Sequence, residues 1–284
     1  MFKFRYILPL LLVIPSVSVA QQATDAVSEV RTYEDWVSLS FDYIEQDSVQ
    51  QAEECIQNAM RLEPANAQNG LLFCNLGTIQ RQLGKLAEAE VSYSCAIALQ
   101  PETHSIRASR AQLYAEMERW TDAIVDYEAA LDHEPQQEDW IYECAMCRLM
   151  NGDIQGARRD LEGIDTFNPN SAKARKGMAV VYKTTGEYSL AMDLYNALIE
   201  ANPKSWSLLR DRAEVHYLSN RMGAAMQDIN RSIEISGNDP MQFVLRAQIR
   251  YARGDKEYAR RDINKALDLG LPQQIAQNLL QKYK

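Results

Sequence analysis

The short motifs that mark common catalytic sites are absent from this sequence of 284 residues. It has no G-x-S-x-G motif, no phosphate-binding P-loop and no H-E-x-x-H motif. Histidine is scarce, and His104, His133 and His216 are scattered along the chain. Neighbouring carboxylates such as Glu53 and Glu54 are expected to be solvated helix faces rather than acid–base pairs. We therefore expect no enzymatic activity and no cofactor, because an active site here would need residues outside all of these patterns.

Cysteine is also scarce, and its spacing does not favour a metal or redox site. The five cysteines are Cys55, Cys74, Cys95, Cys144 and Cys147. An odd number leaves at least one thiol without an intramolecular partner in an exported chain. Cys144 and Cys147 form a C-x-x-C, but no second cysteine or histidine pair is spaced for zinc, and no strand precedes them as a thioredoxin-like site requires. We interpret both as small buried side chains in a helix, and we expect no metal.

Only one long apolar run occurs, and it lies at the start of the chain. Tyr6–Val17 follows the basic residues Lys3 and Arg5 and precedes the small residues Ser18–Ala20. The run is too short for a stable transmembrane helix, so it predicts a signal peptide cleaved before Gln21. The alternative is an uncleaved membrane anchor; a lipoprotein anchor is not expected because Gln21 is not cysteine. We predict an exported protein without a stable membrane span after cleavage, and favour the periplasm over secretion from the cell.

Basic residues are in deficit. The chain has 30 Lys and Arg against 39 Asp and Glu, which gives a formal net charge of −9 at pH 7. Cleavage of the signal peptide removes Lys3 and Arg5 and no acid, and so leaves −11. This excess of negative charge argues against binding to nucleic acid or to anionic lipid.

What the sequence does have is a constant repeat period. After one longer first interval, alanine recurs at equal intervals at Ala52, Ala89, Ala123, Ala157, Ala191, Ala225 and Ala259. Four residues later stands a tyrosine or a branched aliphatic residue: Ile56, Tyr93, Tyr127, Leu161, Tyr195, Ile229 and Ile263. Pro64, Pro101, Pro135, Pro169 and Pro203 follow the same spacing. Apolar residues three and four apart share one helix face, so each unit is predicted to be two amphipathic helices that end before the proline.

A helix–turn–helix unit of about 34 residues with small, aromatic and proline positions resembles the tetratricopeptide repeat. The resemblance covers about Tyr33 to Pro272. It implies an all-α fold, a right-handed α-solenoid of helix–turn–helix units with a C-terminal capping helix. One helix pair cannot bury its apolar face alone, so each pair is expected to pack on its neighbours.

The apolar run and the repeat period together predict the segment boundaries. The signal peptide is expected at 1–20, a polar segment at 21–32, the solenoid at 33–272 and the capping helix at 273–284. About seven repeats are expected, at 33–66, 70–103, 104–137, 138–171, 172–205, 206–239 and 240–272.

Several local features follow from the repeat. Gly84, Gly152, Gly186 and Gly254 are expected in the left-handed conformation that ends a first helix. Thr32 with Asp35, and Ser48 with Gln51, are expected to form capping boxes. The three additional residues of the first interval are expected in the loop around Ala65–Gly70. The capping helix is expected to bury Ile275, Leu279 and Leu280.

The resemblance implies a binding face, because first helices of tetratricopeptide repeats line a concave groove that takes a peptide or a helix. The candidate groove residues are Tyr142, Met146, Leu149, Lys173, Lys176, Lys183, Arg210, Tyr217 and Tyr251. We hypothesise that Tyr142 and Met146 hold an apolar anchor, and that the four bases meet acidic groups or a C-terminal carboxylate of the partner. The alternative is that the lysines form only a solvated face.

Three functions remain open at this point. The chain is interpreted as an adaptor or scaffold in the cell envelope. The alternatives are a periplasmic chaperone or assembly factor, which would bind many clients weakly, and a non-catalytic regulator of a partner enzyme. The sequence makes no prediction of the oligomeric state.

Overall fold

Helices form all the regular structure of residues 31–283, the part of the chain that this computed structural model describes. The fifteen helices of this part are α1 Tyr33–Glu45, α2 Val49–Leu62, α3 Asn69–Gln82, α4 Leu86–Leu99, α5 His104–Glu116, α6 Trp120–Leu131, α7 Glu138–Met150, α8 Ile154–Ile164, α9 Ala172–Thr185, α10 Tyr188–Ala201, α11 Trp206–Leu218, α12 Met222–Ile235, α13 Pro240–Ala252, α14 Lys256–Asp268 and α15 Gln273–Lys282. The predicted all-α solenoid is confirmed. The predicted signal peptide, 1–20, lies outside the described residues, as does the polar segment except Arg31 and Thr32.

The chain forms two compact units. Unit 1 is Met1–Asp153 and contains α1 to α7, and unit 2 is Ile154–Lys284 and contains α8 to α15. Within each unit every helix packs on the helix before it and the helix after it in sequence. This sequential packing is what a solenoid requires, since each helix pair buries its apolar face on its neighbours. Among the residues described, none of the helices is both long and apolar enough to cross a lipid bilayer.

The alanine positions explain how closely the helices approach. All seven alanines of the repeat period are fully buried, and the large residue four positions later is at most 1% exposed in every case. Gly77 lies opposite the pair Ala89 and Tyr93. If residue 77 carried a Cβ atom, this atom would lie only 2.9 Å from Cδ1 of Tyr93. The small side chains therefore stand where two helices cross with no room for a larger group.

The turn between the two helices of each pair uses the same backbone conformation throughout. Residues with positive φ stand directly at these turns: Asp47, Gly84, Glu118, Gly152, Gly186, Asn220 and Gly254. The four glycines confirm the prediction. The other three positions were missed because they do not carry glycine, although they lie on the same repeat spacing.

Glu118 should therefore be a site of backbone strain. A residue with a Cβ atom in the left-handed region costs about 1–2 kcal/mol relative to an ordinary conformation, and glycine avoids most of this cost. We expect Glu118→Gly to raise the free energy of unfolding by about 1 kcal/mol and Gly84→Ala to lower it by about the same amount. Urea titrations followed by circular dichroism would measure both. A loss of stability in Glu118→Gly would contradict the strain.

One of the two predicted capping boxes is present. The Thr32 hydroxyl accepts a hydrogen bond from the Asp35 amide at 3.2 Å, and the Asp35 carboxylate accepts one from the Thr32 amide at 2.8 Å. The prediction of a capping box at Ser48 is wrong. Its hydroxyl lies 3.5 Å from the carbonyl oxygen of Gln46 and caps no amide of α2. Ser48 has a ψ of 63°, whereas Thr32, which does cap its helix, has the extended ψ of 173° that is typical of an N-cap residue.

The predictions for the two ends of the solenoid need small corrections. The loop with the additional residues is Glu63–Gln68, while Asn69 and Gly70 already belong to α3. In α15 the prediction for Ile275 is wrong, since this side chain is 45% exposed. Ala276 and Tyr283 are the buried residues instead, and Leu279 and Leu280 pack beside them as expected.

A repeated arginine clamp ties the helix pairs together. In each case an arginine on a first helix makes a two-nitrogen hydrogen bond to a buried aspartate 16 residues later, on the second helix of the same pair. The same guanidinium reaches a polar side chain 16 residues earlier, on the second helix of the preceding pair. The clamps are Ser94–Arg110–Asp126, Asn196–Arg212–Asp228 and Asn230–Arg246–Asp262. Each one links three helices across the boundary between two repeats.

The clamp at Asp228 carries a histidine that should make stability depend on pH. Burial lowers the pKa of His216 below its ordinary value of 6.5, although Asp228, 3.8 Å away, acts in the opposite direction. The folded state then binds this proton less readily than the unfolded chain does, so stability is lost as pH falls below about 6.5. We expect the free energy of unfolding to fall between about pH 7 and pH 5, and to fall less steeply in His216→Gln. Equal slopes would rule out this role.

Candidate partner-binding face

The first helices of the pairs form an inner layer in each unit. In unit 1, α3 contacts α5 and α5 contacts α7; in unit 2, α11 contacts α13. Within either unit, the described second helices make no comparable contact with one another. Helices that approach their next-but-one neighbours lie on the inside of a curve, so the inner layer is the candidate face for a partner.

Side chains on this inner layer link neighbouring first helices. Arg81 on α3 donates a hydrogen bond to Gln112 on α5 at 2.9 Å and lies 3.8 Å from the Glu116 carboxylate. Lys183 on α9 makes the equivalent contact in unit 2, to Glu214 on α11 at 2.7 Å. Burial raises the pKa of Glu116 above its ordinary value, while Arg81 opposes this effect. Arg81 and Lys183 are therefore paired with polar groups of the neighbouring first helix and are not isolated charges on the inner face.

The predicted apolar candidates all lie on α7. Tyr142 is buried, with 7% of its surface exposed, whereas Met146 and Leu149 are half-buried. The neighbouring Met150 is 62% exposed. The methionine and leucine side chains are thus the accessible part of the predicted anchor site, and Tyr142 contributes mainly to packing.

The predicted basic candidates do not form one cluster of unpaired charge. Lys183 pairs with Glu214, and Arg210 pairs with Asp211 at 2.8 Å and with Asp239 at 2.6 Å. Burial acts to lower the pKa of Arg210, but the two carboxylates outweigh it and raise that pKa above its ordinary value. Lys173 and Lys176 are half-buried on α9.

One of the two aromatic candidates in unit 2, Tyr251, stacks on a residue that was not predicted to lie there. The ring of Tyr283, which follows α15, stacks on Tyr251 with 4.5 Å between ring centroids. Tyr283 is 1% exposed, and burial raises its pKa to about 12, with Tyr217 and Tyr251 adding to the effect. Tyr217 remains half-buried. Tyr251 is half-buried as well, with Tyr283 stacked on its ring.

The cysteines and histidines show no metal site among residues 31–283, where no group of three potential ligands comes together. Cys144 and Cys147 are buried in α7, and burial raises the pKa of Cys147 to about 12. A thiol with so high a pKa is neither a ready nucleophile nor a ready metal ligand. Two histidines that are far apart in the sequence meet in the fold, since the rings of His104 and His133 stack with 3.9 Å between their centroids.

Comparisons with known proteins point to one family. Models described as tetratricopeptide repeat match residues 74–137, 114–181 and 148–211. A tetratricopeptide repeat protein from Parabacteroides merdae, solved by crystallography, is 33% identical and has a TM-score of 0.84, over 88% of this chain and 98% of that one.

Two further matches are more distant. Yeast Tom70 is similar in fold, with a TM-score of 0.67 at 13% identity, over 90% of this chain and 55% of that chain. Human tetratricopeptide repeat protein 16 is 29% identical over 109 residues, which are 36% of this chain and only 12% of the human protein. At these levels the Tom70 match shows the fold alone.

Proposed function

Because this chain belongs to the tetratricopeptide repeat family, we propose that it is a non-catalytic protein-interaction scaffold whose inner face binds a segment of a partner protein. The observation that carries this proposal is the inner layer of first helices in each unit. Layers of this kind present side chains from successive repeats along one extended surface, which suits a peptide or a helix.

The ligand chemistry differs between the two units. In unit 1, Met146 and Leu149 suit an apolar side chain of the partner, because methionine adapts its shape to what it contacts. In unit 2, Lys183 and Arg210 are already neutralised by carboxylates of the protein itself. An acidic group of the partner is therefore proposed to meet Lys176, while the paired groups and Tyr217 offer hydrogen bonds to a polar segment.

Photo-crosslinking tests the inner face directly. A benzophenone amino acid would replace Leu149 in unit 1 or Lys176 in unit 2, in cells that make the protein. The matched controls carry it at Val125, which is 58% exposed on α6, or at the exposed Asp193 on α10. We expect a defined protein to be captured from the inner positions and not from the controls. Equal capture from inner and outer positions would reject the inner face as the binding surface.

A charge reversal then tests the acidic group. Lys176→Glu should weaken capture of the partner, and Lys176→Gln should weaken it less, since only the first introduces repulsion. Arg210 is unsuitable for the same test because its loss would leave Asp211 and Asp239 without their cation. If Lys176→Glu captures the partner as well as the wild type does, then no acidic group of the partner contacts Lys176.

We also propose that the protein is exported. Lys3, Arg5 and the apolar run Tyr6–Val17 support this, together with the small residues before Gln21. Protein purified from the envelope fraction should begin at Gln21. A mature chain that begins at Met1 would contradict export through signal cleavage.

A chaperone that holds unfolded clients is the second candidate, and the 62% exposure of Met150 beside Met146 and Leu149 favours it. Such a protein would bind many unfolded chains weakly through an adaptable apolar surface. Slowed aggregation of several unrelated unfolded proteins, lost in Met146→Ser/Met150→Ser, would support this candidate over a scaffold with one partner.

A further inference from the structure

The charges of this protein are divided unequally between its two units. Unit 1 contains 10 Lys and Arg against 24 Asp and Glu, a net charge of −14. Unit 2 contains 20 against 15, a net charge of +5. The overall value of −9 therefore conceals a basic half, and the two halves are electrostatically complementary.

The exposed acids of unit 1 include a row along one edge. Successive helices joined by short connections run antiparallel, so all loops from a second helix to the next first helix lie at the same edge of a unit. In unit 1 these loops present Glu63, Glu102 and Asp132, all exposed. We name these three residues the acidic edge.

Three exposed bases of unit 2 lie at or near the opposite kind of edge, where a first helix turns into its own second helix, and the exposed acids Glu187 and Asp255 lie at this edge as well. Arg221 and Arg253 stand in such turns, and Arg260 lies one helical turn into α14. All three are exposed, and the described part of the chain pairs none of them with a carboxylate. We name these three residues the basic edge.

We propose that copies of this chain associate head to tail, with the acidic edge of one copy against the basic edge of the next. The net charge of −9 repels two copies as wholes, but salt screens charges beyond about 8 Å at physiological ionic strength. At contact, the facing edges carry opposite charge and attract. Because the contact joins two different surfaces, it leaves one free edge of each kind and can add further copies.

Sedimentation of the purified full chain tests this association. At about 0.1 M salt we expect the average mass to rise above that of the monomer as protein concentration increases, and at about 0.5 M salt we expect the monomer alone. A wild-type protein that stays monomeric at every concentration in low salt would overturn the proposal. A mass that does not respond to salt would overturn it as well.

Edge variants then test the geometry. The basic-edge variant, Arg221→Glu/Arg253→Glu/Arg260→Glu, and the acidic-edge variant, Glu63→Lys/Glu102→Lys/Asp132→Lys, should each be monomeric alone. Mixed in equal amounts they should form a dimer that grows no further, because each retains one intact edge. Failure to form this dimer would overturn the head-to-tail arrangement.

A matched control separates the edge from net charge. Arg159→Glu/Lys204→Glu/Arg231→Glu makes the same charge change as the basic-edge variant at exposed bases elsewhere in unit 2. It should associate like the wild type, and far-UV circular dichroism should show equal helix content in all variants. Loss of association in this control would show that total charge, and not the basic edge, causes the effect. Such a result is expected if unit 2 attracts any acidic macromolecule. It would overturn the edge assignment.

Discussion

Replacing Arg110 by methionine should cost about 3 kcal/mol of folding free energy, because it leaves the Asp126 carboxylate without its cation inside the protein. Asp126 is 3% exposed, and Nε and Nη2 of Arg110 donate to its two oxygens at 2.7 and 2.8 Å. Nη1 of Arg110 also donates to the Ser94 hydroxyl at 3.0 Å, on the second helix of the preceding pair. The variant therefore loses both a buried ion pair and a link between two repeats.

Double substitution distinguishes this cause from simple loss of packing. Removing both partners in Arg110→Met/Asp126→Leu should cost less than the sum of the two single changes, since no buried charge is left unpaired. The matched control is Arg107→Met on the same helix, for which we expect a change within about 0.5 kcal/mol. Urea denaturation followed by circular dichroism measures all four proteins. Additive losses, or an Arg110→Met variant as stable as the wild type, would contradict the clamp.

Replacing Tyr93 by alanine should destabilise the protein by about 3–5 kcal/mol, the usual cost of deleting a buried ring. Tyr93 is fully buried, its ring lies against Gly77, and its hydroxyl is 3.0 Å from that of Thr78. Burial raises the pKa of Tyr93 to about 12. Alanine at this position would leave a cavity at the point where α3 and α4 cross, and Gly77 has no side chain to fill it.

Two matched variants separate the effect of losing the Tyr93 ring from the effect of losing its hydroxyl and from that of any substitution on α4. Val91→Ala lies two residues earlier on α4, at a site that is 63% exposed, and should change stability by less than about 0.5 kcal/mol. Tyr93→Phe removes only the hydrogen bond to Thr78 and should cost about 1 kcal/mol. Thermal and urea unfolding give the three values. A Tyr93→Ala variant no weaker than Val91→Ala would show that the helix crossing does not depend on this ring.

The helix pairs were predictable from sequence because their information is local and repeated. Alanine and a large residue four positions later lie on the same helix face whatever the rest of the chain does. The four glycines at the turns are recognisable for the same reason, since glycine takes a positive φ without a Cβ penalty. Asp47, Glu118 and Asn220 carry the same conformation without that chemical signature, so only their place in the period could have indicated it.

The arginine clamps also recur with the repeat period, but the recurring spacing can be interpreted only once the packing of the helix pairs is known. Each arginine and its aspartate are 16 residues apart, a spacing with no meaning within one helix. It becomes a contact when the helix pair folds back on itself and packs on the pair before it. Three repeats carry this spacing, which is the signal that could have revealed the clamps.

The pairing of charges on the candidate face depends largely on tertiary contacts. Lys183 pairs with Glu214 and Arg210 pairs with Asp239 across separations of 31 and 29 residues, which neither helix by itself could have indicated. The ring of Tyr251 stacks on that of Tyr283, which is 32 residues away in the sequence. Periodicity alone established that the chain would form stacked helix pairs, since that depends on residues three or four positions apart and on their recurrence in every repeat. Which side chains of the inner face remain available to a partner depends on neighbours that only the folded packing brings within hydrogen-bonding distance.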